Sequence, residues 1–149
     1  MLKNTTLSLI IFLLLSLNIS ISQTYQRQMD YDGINRSYVL HIPANYTGTT
    51  SVPLLFIFHG GGGLANQFMA LTTDMRPMAD TAGFILVYPQ AAVDPTDGSN
   101  SWLHKSPTTH NDIFFIETLI DSLSNEYMID NNRVYACGYS EGGIFSYEL

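Results

Sequence analysis

Gly138-Tyr139-Ser140-Glu141-Gly142 sets a serine between two glycines at the spacing of a nucleophile elbow, a sharp strand-to-helix turn that lifts one hydroxyl above a sheet edge. Glycine is needed on both sides because side chains there would collide across the turn. A serine presented in this way is suited to covalent catalysis, attacking a carbonyl once a base takes its proton. The flanks supply the context such a turn requires. Val134 to Cys137 reads as a strand, and Gly142-Gly143-Ile144-Phe145 opens a helix with small residues.

A second constellation, His59-Gly60-Gly61-Gly62-Gly63, directly follows the apolar run Leu54 to Phe58. Consecutive glycines allow backbone amides to turn inward and approach a substrate oxygen closely. A loop of this type supplies one amide of an oxyanion hole, and the residue after the nucleophile supplies the other. The donors here are expected to be the N–H of Gly61 or Gly62 and the N–H of Glu141. His59, Gly60 and Gly62 are read as the loop that supports them, with His59 a brace rather than a base. A phosphate-binding loop is the competing reading, but no Gly-Lys-Ser/Thr follows and no acidic partner completes a dinucleotide fingerprint.

The elements that must hold these groups are legible in the hydrophobic pattern. A hairpin is predicted with strands near Gln26 to Tyr31 and Arg36 to Ile42, turning at Asp32-Gly33-Ile34-Asn35. Leu54 to Phe58 and Phe84 to Tyr88 are apolar without alternation, which marks central strands covered on both faces. Helices are expected over Asn66 to Ala82 and Asp112 to Tyr127, and Ala91 to His110 is a long polar loop of a length that is often functional. Strands alternating with helices give an α/β class, a doubly wound, mostly parallel sheet.

The chain carries six Lys and Arg against thirteen Asp and Glu, a net charge of −7, so nucleic acid and anionic membranes are excluded as partners. Lys3, an apolar run from Leu7 to Leu17 and the small residues Ser20 and Ser22 have the layout of a secretory leader. That run is shorter than the roughly 20 residues that span a bilayer. Residues 1–22 are therefore expected to be a cleaved signal rather than an anchor, leaving no stable membrane span and an extracellular or periplasmic product. The single cysteine, Cys137, is read as a small buried hydrophobe, with pairing to a cysteine beyond Leu149 as the alternative.

With these residues in view, the chain resembles the polyhydroxybutyrate depolymerase and feruloyl or acetylxylan esterase group of α/β-hydrolases. The resemblance rests on Arg36-Ser37-Tyr38-Val39-Leu40-His41-Ile42-Pro43, on the strand leading into His59-Gly60-Gly61-Gly62, and on Ala79 to Phe84 leading to Tyr88-Pro89-Gln90. It continues through Ser101-Trp102, Asn111 to Ile116, and Ile129 to Tyr135 before the elbow. It implies an α/β-hydrolase domain over residues 23–149, Ser140 as nucleophile, and Trp102 near the substrate cleft. It also implies an ester substrate, carried on a polysaccharide or a polyester. One departure is Glu141, where small or amide side chains are usual, although only its backbone amide is needed.

In this class the acid and then the histidine follow the serine, and only nine residues follow Ser140. The sequence is therefore expected to be an N-terminal portion, truncated after the elbow, with acid and base outside it. His41, His59, His104 and His110 are read as structural or solvated, Asp94 and Asp97 as a solvated loop, and no metal or cofactor is implied. A serine peptidase on the same fold and a non-catalytic fragment are the alternative readings.

Overall fold

A computed structural model describes residues 21–103 and 111–149. Residues 1–20, which carry most of the expected leader, and 104–110, which carry His104 and His110, lie outside the described residues. The chain opens with the hairpin of β1 (Gln23–Tyr31) and β2 (Ile34–Ile42). Its turn is two residues rather than the four expected. Asp32 and Gly33 both take positive φ, 55° and 74°, and Tyr31 pairs directly with Ile34. Two left-handed residues in succession match the right-handed twist of the flanking strands, which is why Asp-Gly is favoured there.

Three parallel strands follow. β3 (Val52–Phe58) lies between β4 (Ile85–Pro89) and β5 (Ile129–Gly138), and β2 joins the far side of β4 antiparallel, giving the order β1-β2-β4-β3-β5. The sheet is thus mixed, parallel across β4, β3 and β5 and antiparallel at the hairpin edge. Alternation along β3 feeds two cores. Leu54, Phe56 and Phe58 face one side with Val87, Leu119 and Phe145, whereas Ile57 faces the other with Val39, Leu86, Tyr88 and Ala79. Each of the buried Val, Leu, Ile and Phe side chains contributes about 1.5–3 kcal/mol.

The segment expected as one helix from Asn66 to Ala82 is two, α1 (Ala65–Leu71) and α2 (Arg76–Ala82). Pro77 in the first turn of α2 lacks an N–H and would clash with a helical carbonyl four residues earlier, so the chain must break before it. Asp74 Oδ1 accepts from the Arg76 N–H at 3.1 Å at the new start, and Gly83 closes α2 in the left-handed region. α3 (Asp112–Glu126) starts at Asn111, whose side chain accepts from the Ile113 N–H, and α4 (Glu141–Phe145) follows the elbow.

β5 pairs only with β3 among the described residues and is covered mainly at its start. Cys137 is consequently exposed, correcting its reading as a buried hydrophobe. Tyr135 on the same strand is also exposed. No described helix is long and apolar enough to cross a membrane.

Candidate active site

The elbow joins β5 to α4, and Ser140 there has φ 53° and ψ −121°, a backbone region that non-glycine residues enter only under strain. The two glycines of the pattern make that turn possible. A Cβ on Gly142 would lie 2.7 Å from the Phe58 carbonyl carbon and closer still to the oxygens of Phe58 and His59. A Cβ on Gly138 would overlap the backbone of Gly142 and Gly143. Backbone atoms cannot swing aside, so the tight turn of the elbow on itself requires glycine at 138 and its close crossing over the end of β3 requires glycine at 142. The Tyr139 N–H donates to the Phe58 carbonyl at 3.1 Å, and the Gly143 and Ile144 N–H groups donate to the Ser140 carbonyl at 2.9 and 3.1 Å.

The glycine loop stands beside the serine: a Cβ on Gly60 would be 3.4 Å from Ser140 Cβ. His59 is buried, and its Nδ1–H donates to the Gly60 carbonyl at 2.7 Å. Its Nε2 accepts from the Ala91 N–H at 3.2 Å and the Gln90 side-chain amide at 3.1 Å. These contacts hold the ring as a neutral tautomer, and burial pushes its pKa below the ordinary histidine value. Gly62 is committed, donating to the Asn100 carbonyl at 2.7 Å. Among the described residues the N–H groups of Gly61 and Glu141 donate to nothing. Of the two glycines the sequence left open, Gly61 is thus the one with a donor to spare.

Trp102 lies beneath this loop rather than lining an open cleft. Its side chain is 2 % exposed, its indole N–H donates to the His59 carbonyl at 2.8 Å, and its ring stacks on Phe145 with centroids 4.8 Å apart. It packs edge-on against Phe58 at 4.9 Å as well. The ring therefore supports the glycine loop from the core side.

The open surface beside the loop is instead a cleft of about 280 Å³ between α1 and the elbow, to which Leu64, Phe68 and Leu71 contribute apolar surface alongside Gly60, Gly61 and Tyr139. Both histidines among the described residues are engaged elsewhere. His41 is buried between Thr24 Oγ1 at 2.8 Å and Asp80 Oδ1 at 3.2 Å. Asp94 and Asp97 accept from N–H groups of their own turns, Thr96 and Ser99.

Several supporting residues had no assigned role in the sequence reading. Gln90 ties three points of the glycine loop, through His59, the Gly63 carbonyl at 3.1 Å and the Ala65 N–H at 2.9 Å. Asn100 and Ser101 hold the same loop and the Glu141 side chain. Arg36 and Asp112 form a buried ion pair, with the Arg36 guanidinium 3.9 Å over the Phe115 ring. Asp112 also accepts from the Leu103 N–H at 2.7 Å, which fixes the backbone next to Trp102. Burial raises the Asp112 carboxyl above the usual range, opposed by Arg36 and that N–H. Each residue sits in a recognisable string, but only its partners disclose its task.

A strained serine beside two unspent amides is the equipment of acyl transfer. The sequence profile of the esterase PHB depolymerase family matches residues 36–147, which include Ser140, the glycine loop and Glu141. The chain belongs to the esterase PHB depolymerase family. It is 31% identical over 123 residues to a bifunctional acetylxylan esterase/xylanase of Neocallimastix patriciarum, covering 83% of this chain and 16% of that protein. It is also 31% identical over 105 residues to feruloyl esterase B of Thermothelomyces thermophilus, covering 67% and 34%.

Among solved structures, an S-formylglutathione hydrolase from Agrobacterium tumefaciens superposes with a TM-score of 0.67 at 15% identity, covering 84% of this chain and 50% of that one. A ferulic acid esterase matches with the same TM-score at 17% identity, over 84% and 53%. These superpositions establish the α/β-hydrolase fold. The chain spans about a third or less of the length of these curated relatives, and about half of these structures.

Proposed function

We propose that the protein is a secreted serine hydrolase that cleaves polymer-borne esters through an acyl-enzyme at Ser140. The observation that carries this reading is the strained Ser140 backbone set beside the unspent N–H groups of Gly61 and Glu141. The Ser140 hydroxyl attacks the ester carbonyl while a histidine takes its proton. The carbonyl oxygen becomes negative and is held by the two amides, the alcohol leaves with the proton, and water then releases the acid by the same route in reverse. Protein groups and water suffice for every step.

The histidine and its carboxylate partner are assigned to sequence beyond residues 1–149, because in this fold class they follow the nucleophile in chain order. The family and the names of the relatives support feruloyl or acetyl esters of polysaccharide, or a polyhydroxyalkanoate, as substrate. The apolar cleft between α1 and the elbow supports an apolar acyl or alkyl portion next to the scissile bond. Secretion is supported by Lys3 and the apolar run that follows it.

The test uses the full-length protein, a fluorophosphonate probe, and acetyl, feruloyl and hydroxybutyrate esters. The parent is expected to label at Ser140 and to cleave at least one ester, and Ser140→Ala to do neither. A Ser140→Ala variant as active as its parent would place the chemistry elsewhere.

A further inference from the structure

The elbow needs only the backbone of residue 141, yet the Glu141 side chain is held in a defined place. Its Oε1 accepts from the Ser101 hydroxyl at 2.6 Å. Its Oε2 is buried with no hydrogen-bond partner among the described residues. That oxygen lies 2.8 Å from where a Cβ on Gly61 would stand, so it is packed on the α-carbon of the other oxyanion donor. A carboxylate oxygen without a partner is costly, and a like charge beside a developing oxyanion is electrostatically adverse. Neither the fold nor the amide at position 141 requires it.

What the side chain provides is a connection. The two donors come from different segments, the glycine loop after β3 and the first residue of α4. The Asn100-Ser101 dipeptide touches both. The Asn100 carbonyl accepts from the Gly62 N–H at 2.7 Å and its side-chain amide donates to the Gly63 carbonyl at 3.0 Å, while Ser101 holds Glu141. Ser101 is itself anchored by its N–H to the Ala92 carbonyl at 3.0 Å. Glu141 closes this circuit by resting on Gly61.

We propose that Glu141 is a positioning residue of the oxyanion site, a strut between Ser101 and Gly61 that sets the separation of the two amide donors. The inference rests on the serine-hydrolase reading above. Donors aimed at a transition state lose effect steeply when displaced, so a loosened strut acts on turnover more than on substrate binding. A glutamine at this position keeps the length and the acceptor for Ser101 and removes the charge.

The experiment measures kcat and KM of the full-length protein on a short aryl ester, with circular dichroism of each variant. Glu141→Ala is expected to lower kcat about tenfold, with KM changed less than about twofold. Glu141→Gln is expected to recover most of that loss. Ser101→Ala is expected to slow kcat in the same way, and the double variant Ser101→Ala with Glu141→Ala to be no slower than Glu141→Ala alone.

The proposal is overturned by a Glu141→Ala variant with the parent's kcat, by a Glu141→Gln variant as slow as a folded Glu141→Ala, or by additive losses in the double variant. If Glu141→Ala does not fold, Ser101→Ala and Glu141→Gln decide: the proposal stands only if the first is slow and the second is not. Ser140→Ala run in parallel separates the two readings. A dead Ser140→Ala beside an unimpaired Glu141→Ala removes this inference alone, whereas an active Ser140→Ala removes both.

Discussion

Replacing Gly142 by alanine tests whether the closeness of the elbow to β3 sets the activity. The added methyl would lie 2.7 Å from the Phe58 carbonyl carbon, whereas carbon atoms rest at about 3.5–4.0 Å. The elbow must therefore retreat by roughly 1 Å, because its neighbours there are backbone of β3, itself paired on both sides. A displacement of that size at the proposed nucleophile and one proposed oxyanion donor is expected to cost about 100-fold in rate. The overpacking costs about 1–3 kcal/mol of stability. For a domain of this class that lowers the Tm by about 3–10 °C.

Gly143→Ala is the internal comparison. Its Cβ would stand 3.1 Å from the Gly138 carbonyl oxygen and needs a shift of only a few tenths of an ångström. Hydrolysis of p-nitrophenyl acetate by the full-length variants, with thermal unfolding followed in parallel, measures both effects. The expected order of damage is Gly142→Ala well beyond Gly143→Ala. A Gly142→Ala variant within about threefold of the parent's kcat and within about 1 °C of its Tm would refute the steric argument.

Ser140→Gly is expected to abolish ester cleavage and raise the unfolding free energy by about 1 kcal/mol, since glycine adopts φ 53° without the strain serine bears. Urea denaturation showing the variant less stable than the parent would count against stored strain at the elbow. Arg36→Ala strands the buried Asp112 carboxyl and is expected to cost about 3–5 kcal/mol, read as a lower urea midpoint; an unchanged midpoint would show that Asp112 is not charged there.

Burial holds the His59 pKa below its unfolded value of about 6.5, so its stability contribution is complete above that pH and is lost as pH falls toward the folded value. Unfolding free energy is therefore expected to drop between pH 7.5 and 5.5, at up to about 1.4 kcal/mol per pH unit, and His59→Gln to flatten that slope. An equal slope in parent and variant would assign the titration to another group.

The amino-acid sequence alone determined the local backbone devices. Positive φ at Gly33, the break of the helix before Pro77, the need for glycine at 138 in the turn to Gly142, and the turning of the glycine loop are properties of short strings, because sterics act between neighbours in the chain. Continuous apolar runs likewise specified which strands are central. The helical residues on either side of Pro77 nonetheless hide the break between α1 and α2 when the string is taken as a whole.

The tertiary structure decided everything that depends on a distant partner. That Gly62 is spent on Asn100 while Gly61 is not, that Trp102 turns inward to His59, and that Glu141 lies across Gly61 all follow from segments about 40 to 80 residues apart meeting at one sheet edge. Cys137 shows the converse, since an apolar string predicts burial only if something covers it. Hydrogen-bond donors and side-chain directions are settled by what lies opposite them in space, and chain order does not record that.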